Sequence, residues 1–218
     1  MSRADRIKGE HNGALALRAK VGMRMSVLEH VKPAHVFDAY CGPSGEMWRA
    51  VWKRAASYVG CDEVYEPFDP RRRFVGDNRT VMRAIDLQAY NVFDLDAFGE
   101  PWEQLTILSV RRTWQAGERG AVILTWSDLK TRWGFASHAL ASLSGLGSLK
   151  VGRKADVAIT PMAIRSFFAR SNVHPLQAWN ASGGSTGKGS NKQTYTAIVF
   201  EGLGAAHRER TDGQHVEA

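Results

Sequence analysis

Apolar and polar positions along this chain switch between two periods. Short apolar runs that close on a polar turn residue recur at 35–39, 57–61, 73–76, 91–95 and 121–126, and each predicts a strand. Between them the apolar residues fall at helical spacing. The stretch 11–31 carries Leu15, Val21, Met25 and Leu28 and stops before Pro33. Met47, Trp48, Val51, Trp52 and Ala55 share one face of a second predicted helix. Val81, Met82 and Ile85 mark a third, with Asp77-Asn78 placed to cap it, and Trp102, Leu105 and Leu108 mark a fourth. Strands alternating with helices predict a parallel sheet covered on both faces.

Beyond Trp133 the pattern changes. Residues 137–151 are rich in Ala, Ser, Gly and Leu and read equally as helix or loop. Residues 161–171 predict a helix with Ile164, Phe167 and Phe168 inward. Two late strands, 175–180 and 193–200, flank a Gly/Ser-rich loop and predict an antiparallel hairpin. Residues 1–10 and 204–218 read as flexible tails around a single domain at 11–203.

Composition sharpens this picture in two places. With 218 residues, 44% of them hydrophobic, the chain can bury a full core. Its net charge of +7 favours a polyanionic partner such as nucleic acid. The basic clusters that would meet it are Arg71-Arg72-Arg73, Arg111-Arg112, Lys130/Arg132 and Lys150/Arg153/Lys154. No apolar run approaches a membrane span and the N-terminus lacks a signal-peptide core, so the expectation is a cytoplasmic protein with no membrane partner. No Cys/His spacing suggests a metal site. Cys41 and Cys61 fall at the ends of two neighbouring predicted strands and read as reduced thiols beside a pocket.

The first candidate chemistry lies at Asp38-Ala39-Tyr40-Cys41-Gly42-Pro43-Ser44-Gly45, where a strand ends on an acid and a Gly-rich turn opens a helix. Glycines let a ligand approach the backbone, and a helix start offers free N–H groups. The spacing is not the G-x-G-x-x-G of dinucleotide binding. Four successive strands end in acidic residues: Asp38, Asp62 or Glu63, Asp77, and Asp94/Asp96. In an open parallel sheet that edge is where ligands bind.

The D-x-x-C-G-P-S-G stretch resembles motif I of class I S-adenosylmethionine-dependent methyltransferases, and the likeness spans roughly residues 35–130. It implies a Rossmann-like α/β fold: a mixed seven-stranded sheet, helices on both faces and a C-terminal antiparallel hairpin. It implies S-adenosyl-L-methionine as cofactor. Asp38, Tyr40, Cys41, Gly42, Pro43 and Gly45 would surround its methionyl part, with Asp94 nearby. Asp62 or Glu63 would hold the ribose, and Asp77 with Asn78 would meet adenine.

A second stretch, Asp94-Leu95-Asp96-Ala97-Phe98-Gly99, resembles motif IV of methyltransferases acting on exocyclic amines of bases, in a form closest to the tRNA guanine-N2 dimethyltransferases. The resemblance makes Asp96, Ala97 and Phe98 the candidate catalytic residues. Asp96 and the Ala97 carbonyl would hold the amine and aim its lone pair, Asp96 would be placed to take a proton, and Phe98 would stack on the extruded base. Ala97 stands where the family has proline. The expected substrate is therefore a nucleic-acid base, RNA favoured over DNA, with a partner subunit or surface loops supplying recognition. The alternatives are a protein or small-molecule methyltransferase and a non-catalytic cofactor-binding subunit. Cytosine C5 chemistry is excluded, because no Cys follows the fourth strand.

Overall fold

The computed structural model describes residues 14–97, 99–127, 136–150, 156–183 and 193–204. Seven strands form one sheet: β1 (His35–Asp38), β2 (Ser57–Asp62), β3 (Arg73–Val75), β4 (Val92–Leu95), β5 (Arg119–Ser127), β6 (Val173–Gly183) and β7 (Gln193–Gly202). Their order is β3-β2-β1-β4-β5-β7-β6. The first five run parallel, and β7 joins β5 and β6 antiparallel. This is the Rossmann-like seven-stranded mixed sheet with a closing hairpin that the sequence predicts. The order reverses direction between β1 and β4, so the switch point lies over Asp38 and Asp94, which are register partners.

Strand alternation sends side chains to two faces with different contents. On one face Phe37, Phe93, Leu95, Val122 and Phe200 pack under helices α3 (Asn78–Ala84), α4 (Trp102–Arg111), α5 (His138–Ser144) and α6 (Asp156–Ser171). Met82, Leu105, Leu140 and Phe167 fill that layer from the helices. On the other face Val36, Val92, Ile123, Ala197 and Val199 meet α1 (Ala14–His30) and the segment after β1. The buried stripe of α1 is Ala16, Lys20, Met23, Arg24 and Val27, so two cations ride in a row that otherwise packs.

Four elements differ from the sequence expectation, the first being α6, which begins at Asp156 and carries Pro161 inside it instead of starting there. The helix expected through Ala55 is instead a short α2 (Glu46–Ala50) followed by a 3-10 turn at Trp52–Arg54. Val51 leaves helical geometry with φ −133° and ψ −62°, and the buried Trp52 sends its indole N–H to Asp94 at 2.8 Å. β6 begins two residues before Pro175. It tolerates that proline because it is the edge strand and bulges between Pro175 and Gln177. The ambiguous 137–151 segment contains α5, capped by Ser137 and ended by Gly145 in a left-handed conformation. The expected tails fall largely outside the described residues.

Candidate active site

The Gly-rich turn is built as a rigid corner. Ala39 N–H donates to the Asp94 carbonyl at 2.9 Å, and Cys41 N–H to the Cys61 carbonyl at 3.1 Å, so the chain leaves β1 tied to both neighbouring strands. Gly42 and Gly45 then take φ of 59° and 60°, a region that side-chain-bearing residues rarely adopt. At Gly45 a Cβ would also lie 2.8 Å from the Arg71 guanidinium. That guanidinium is buried and donates to the carbonyls of Cys41 (2.9 Å), Gly42 (2.8 Å) and Pro43 (3.1 Å). With these carbonyls turned toward Arg71, the turn is held from the side of the β2–β3 loop.

Asp38 is buried at the end of β1, 2% exposed. Its carboxylate accepts from Tyr40 N–H at 3.2 Å and from the Tyr58 hydroxyl at 3.0 Å. Burial, and then the charge of Asp94, push this carboxyl up to about 8. Tyr40 is drawn into a second network. Gln104 of α4 donates through Nε2 to the Tyr40 hydroxyl (2.5 Å) and to Asn78 Oδ1 (2.7 Å), while Asn78 Nδ2 donates to the Ala39 carbonyl (2.9 Å). Gln104 is 3% exposed, and its buried Oε1 has no hydrogen-bond partner among the described residues.

Asp77 and Asp62 face outward by comparison. Asp77 caps α3 by accepting from Arg79 N–H and pairs with the Arg79 side chain, which holds its carboxyl down at about 2. Of the adjacent pair, Asn78 is therefore the one bonded to the glycine corner. Asp62 accepts from Val64 N–H at 2.8 Å and is partly exposed at the sheet edge, beside the exposed Glu63. Cys41 and Cys61 are free buried thiols, raised by burial to about 11 and about 12, which keeps both protonated at neutral pH.

The second stretch is locked by α1. Arg24 holds both oxygens of Asp94, Nε to Oδ2 at 2.6 Å and Nη2 to Oδ1 at 2.8 Å, and also reaches Asp96 Oδ2 at 2.9 Å. Lys20 Nζ lies 3.0 Å from Asp96 Oδ1 and 2.9 Å from its Oδ2, and 4.8 Å from the centre of the Tyr195 ring. Burial alone would raise the Asp96 carboxyl, but Arg24 and Lys20 outweigh it and hold Asp96 below the ordinary carboxylate range. Asp96 thus stays ionised and is a poor proton acceptor. Asp94 is 1% exposed, with both oxygens spent on Arg24 and Trp52, so it supports the edge from inside instead of presenting a carboxylate to it. Ala97 is buried, and its N–H donates to the Leu95 carbonyl at 2.8 Å. Phe98 lies outside the described residues.

Sequence reasoning missed Lys20, Arg24, Tyr58 and Gln104, and placed Arg71 in a basic cluster facing nucleic acid. Only the first two left a readable signal: cations four residues apart, on the same helical stripe as Ala16, Met23 and Val27. The basic clusters are also partly spent. Arg71 and Arg73 pair with Asp69, leaving Arg72 exposed; Arg112 is buried over the Trp114 ring at 4.0 Å. Among the described residues no group of His, Cys, Asp and Glu could hold a metal ion, and no helix is long and apolar enough to cross a membrane.

No family model and no curated protein matches the sequence. Solved structures do match the fold. Trm1 from Pyrococcus horikoshii, in complex with S-adenosyl-L-methionine, is 14% identical; the match covers 89% of this chain and 57% of that one, with a TM-score of 0.53. TYW2 from M. jannaschii, in complex with AdoMet, is 8% identical over 83% of this chain and 77% of that one, with a TM-score of 0.50. Strand order, the antiparallel β5-β7-β6 closure, the glycine corner at the switch point and these matches agree on one architecture: the chain has the fold of the class I S-adenosylmethionine-dependent methyltransferases.

Proposed function

We propose that this protein is an S-adenosylmethionine-dependent methyltransferase acting on a nitrogen of a nucleic-acid base, with RNA the favoured substrate. The observation that carries the cofactor assignment is the buried Gln104 Oε1, an acceptor without a partner among the described residues, in the Tyr40–Asn78–Gln104 network beside the glycine corner. Leaving such an atom unpaired costs about 1–3 kcal/mol, and an amino or hydroxyl donor of the cofactor would satisfy it. The corner fits the remainder. Gly42 and Gly45 open the backbone, a bound ammonium beside the buried Asp38 would ionise it, and Asp62 or Glu63 at the end of the adjacent strand would take the ribose diol. Both solved structures described above contain this cofactor, which supports the same reading.

When bound, the cofactor supplies a methyl group made electrophilic by its sulfonium. The chain supplies position. Asp96, with the Ala97 carbonyl, accepts the N–H bonds of the acceptor amine and orients its lone pair. Lys20 and Arg24 keep Asp96 ionised and fix its plane, so it serves as a hydrogen-bond acceptor while the departing proton passes to water. An arriving amine shares the Asp96 oxygens with Lys20 Nζ, which sits on a flexible stem and can yield one of them. The RNA preference rests on the net charge of +7 and on the motif IV likeness at Asp94–Gly99.

Radiolabelled methyl transfer from S-adenosylmethionine to total RNA, DNA and protein extracts tests the assignment. Counts should enter RNA and fall at least about a hundredfold in Asp96→Asn, with cofactor affinity within a few fold of wild type. Counts in protein alone would move the substrate class. No counts in any extract, with the cofactor bound, would make the chain a cofactor-binding subunit.

A further inference from the structure

A different part of the molecule carries a feature the proposed chemistry does not use. Phe68, in the loop between β2 and β3, is 100% exposed and has a φ of 65°. A bulky residue rarely adopts that backbone conformation unless its surroundings impose it. Here they do. Asp69 accepts from Arg71 N–H at 2.9 Å and pairs with Arg71 and Arg73, and Arg73 donates to the Val64 carbonyl at 2.8 Å. Arg71 in turn grips the carbonyls of the glycine corner. The loop is pinned at both ends with an aromatic ring in solvent at its tip. Such exposure gains nothing for the fold.

The ring borders an open cleft of about 190 Å³. Trp48 and Arg49 of α2, with Pro43 and Ser44 of the turn, form one wall, and Glu66 to Arg71 form the other. It shares Pro43 and Ser44 with the glycine corner and so adjoins the proposed cofactor site, but none of Asp38, Asp62, Asp77, Asn78 or Asp96 lines it. Its contents suit an unpaired base. Two aromatic rings offer stacking surfaces, the Glu66 carboxylate can accept base N–H groups, and Arg49 and the neighbouring Arg72 are exposed for phosphates. We propose that this cleft docks an unpaired RNA base against Phe68, a reading that rests on RNA being the substrate. Because Arg71 ties the loop to the glycine corner, a base held here would fix the RNA relative to the methyl donor.

The test is fluorescence anisotropy of a short labelled single-stranded oligoribonucleotide with the full chain. The key variant is Phe68→Gly, which removes the ring and accepts the positive φ, so the fold keeps or gains stability. It should bind the oligonucleotide about tenfold more weakly or worse, while Phe68→Trp binds as wild type. Arg49→Ala should lower the salt dependence of binding. Cofactor affinity, measured by calorimetry, should be unchanged in all three. Unchanged RNA affinity in Phe68→Gly would overturn the inference, and so would a parallel loss of cofactor affinity, which would assign Phe68 to the cofactor site. The two readings fail separately. Methylated RNA with unchanged Phe68→Gly affinity removes only the docking cleft. Phe68-dependent RNA binding without methyl transfer removes only the proposed reaction.

Discussion

The two faces of the sheet bury similar strands by different means. Under α3 to α6 the strands present Phe37, Phe93, Leu95 and Phe200 to helices that answer with Leu105, Leu108 and Phe167, a layer held by apolar burial and aromatic edges. Under α1 the carboxyl ends of β1 and β4 present Asp38 and Asp94, with Asp96 just beyond, and the helix answers with Lys20 and Arg24. A buried ion pair is rarely the most stable way to fill space, because desolvation offsets most of the attraction. The difference teaches where the molecule gives up stability for placement. Both faces hold the sheet through apolar layers, and the α1 face also holds charges at the edge where ligands arrive.

The largest test of that contrast is Arg24→Met. It leaves the buried Asp94 with only the Trp52 indole N–H and Asp96 with Lys20, and should destabilise the fold by about 3–5 kcal/mol. Adding Asp94→Asn should recover a good part of that loss. On the apolar face Leu105→Ala should cost a comparable 2–5 kcal/mol, through the cavity it leaves, and no second polar change should rescue it. Urea unfolding of the three variants checks both statements.

Asp38 gives the next effect, and its sign is fixed by the raised carboxyl. A group whose pKa rises on folding contributes stability below its unfolded value, about 4, and that stability is lost as pH climbs through about 8. Asp38→Asn should therefore leave stability at pH 4–5 near wild type and raise it by about 2–4 kcal/mol at pH 8.5. It should also weaken cofactor binding. Guanidinium unfolding at the two pH values reads the first effect. A stabilisation equal at both would show that the Asp38 proton plays no part.

Lys20→Met gives the smallest effect. Asp96 is depressed in the fold, so its contribution is present above about pH 4 and lost as pH falls through the lower folded value. Without Lys20 that carboxyl should move up toward its ordinary range. The acid-unfolding midpoint should rise, with a smaller loss at pH 7 than in Arg24→Met, because Arg24 still pairs with Asp96. Carbon-13 NMR of the Asp96 carboxyl gives its titration directly.

What the sequence reveals follows the range of the forces involved. The strands were legible because alternation and strand-end acids are local signals, and the glycine corner because turn chemistry is local too. The lock on Asp96 was not: its partners stand 72 and 76 residues away, on a helix whose apolar periodicity those same cations interrupt. The break after Val51 was hidden for a related reason, since the indole of Trp52 finds Asp94 only once β4 is in place. Arg71 to Arg73 read as a surface cluster, because the three carbonyls that draw Arg71 inward lie 28 to 30 residues earlier in the chain.

The central claim is that the corner between Asp38 and Gly45 holds S-adenosylmethionine, and calorimetric titration of that cofactor into wild type and Gly42→Val tests it most directly. The account predicts saturable binding to wild type. It predicts binding weakened by more than about tenfold in the variant, whose β-branched side chain cannot take the 59° φ of the turn, with cooperative unfolding retained. Equal affinity in both proteins, or no binding to wild type, would contradict it.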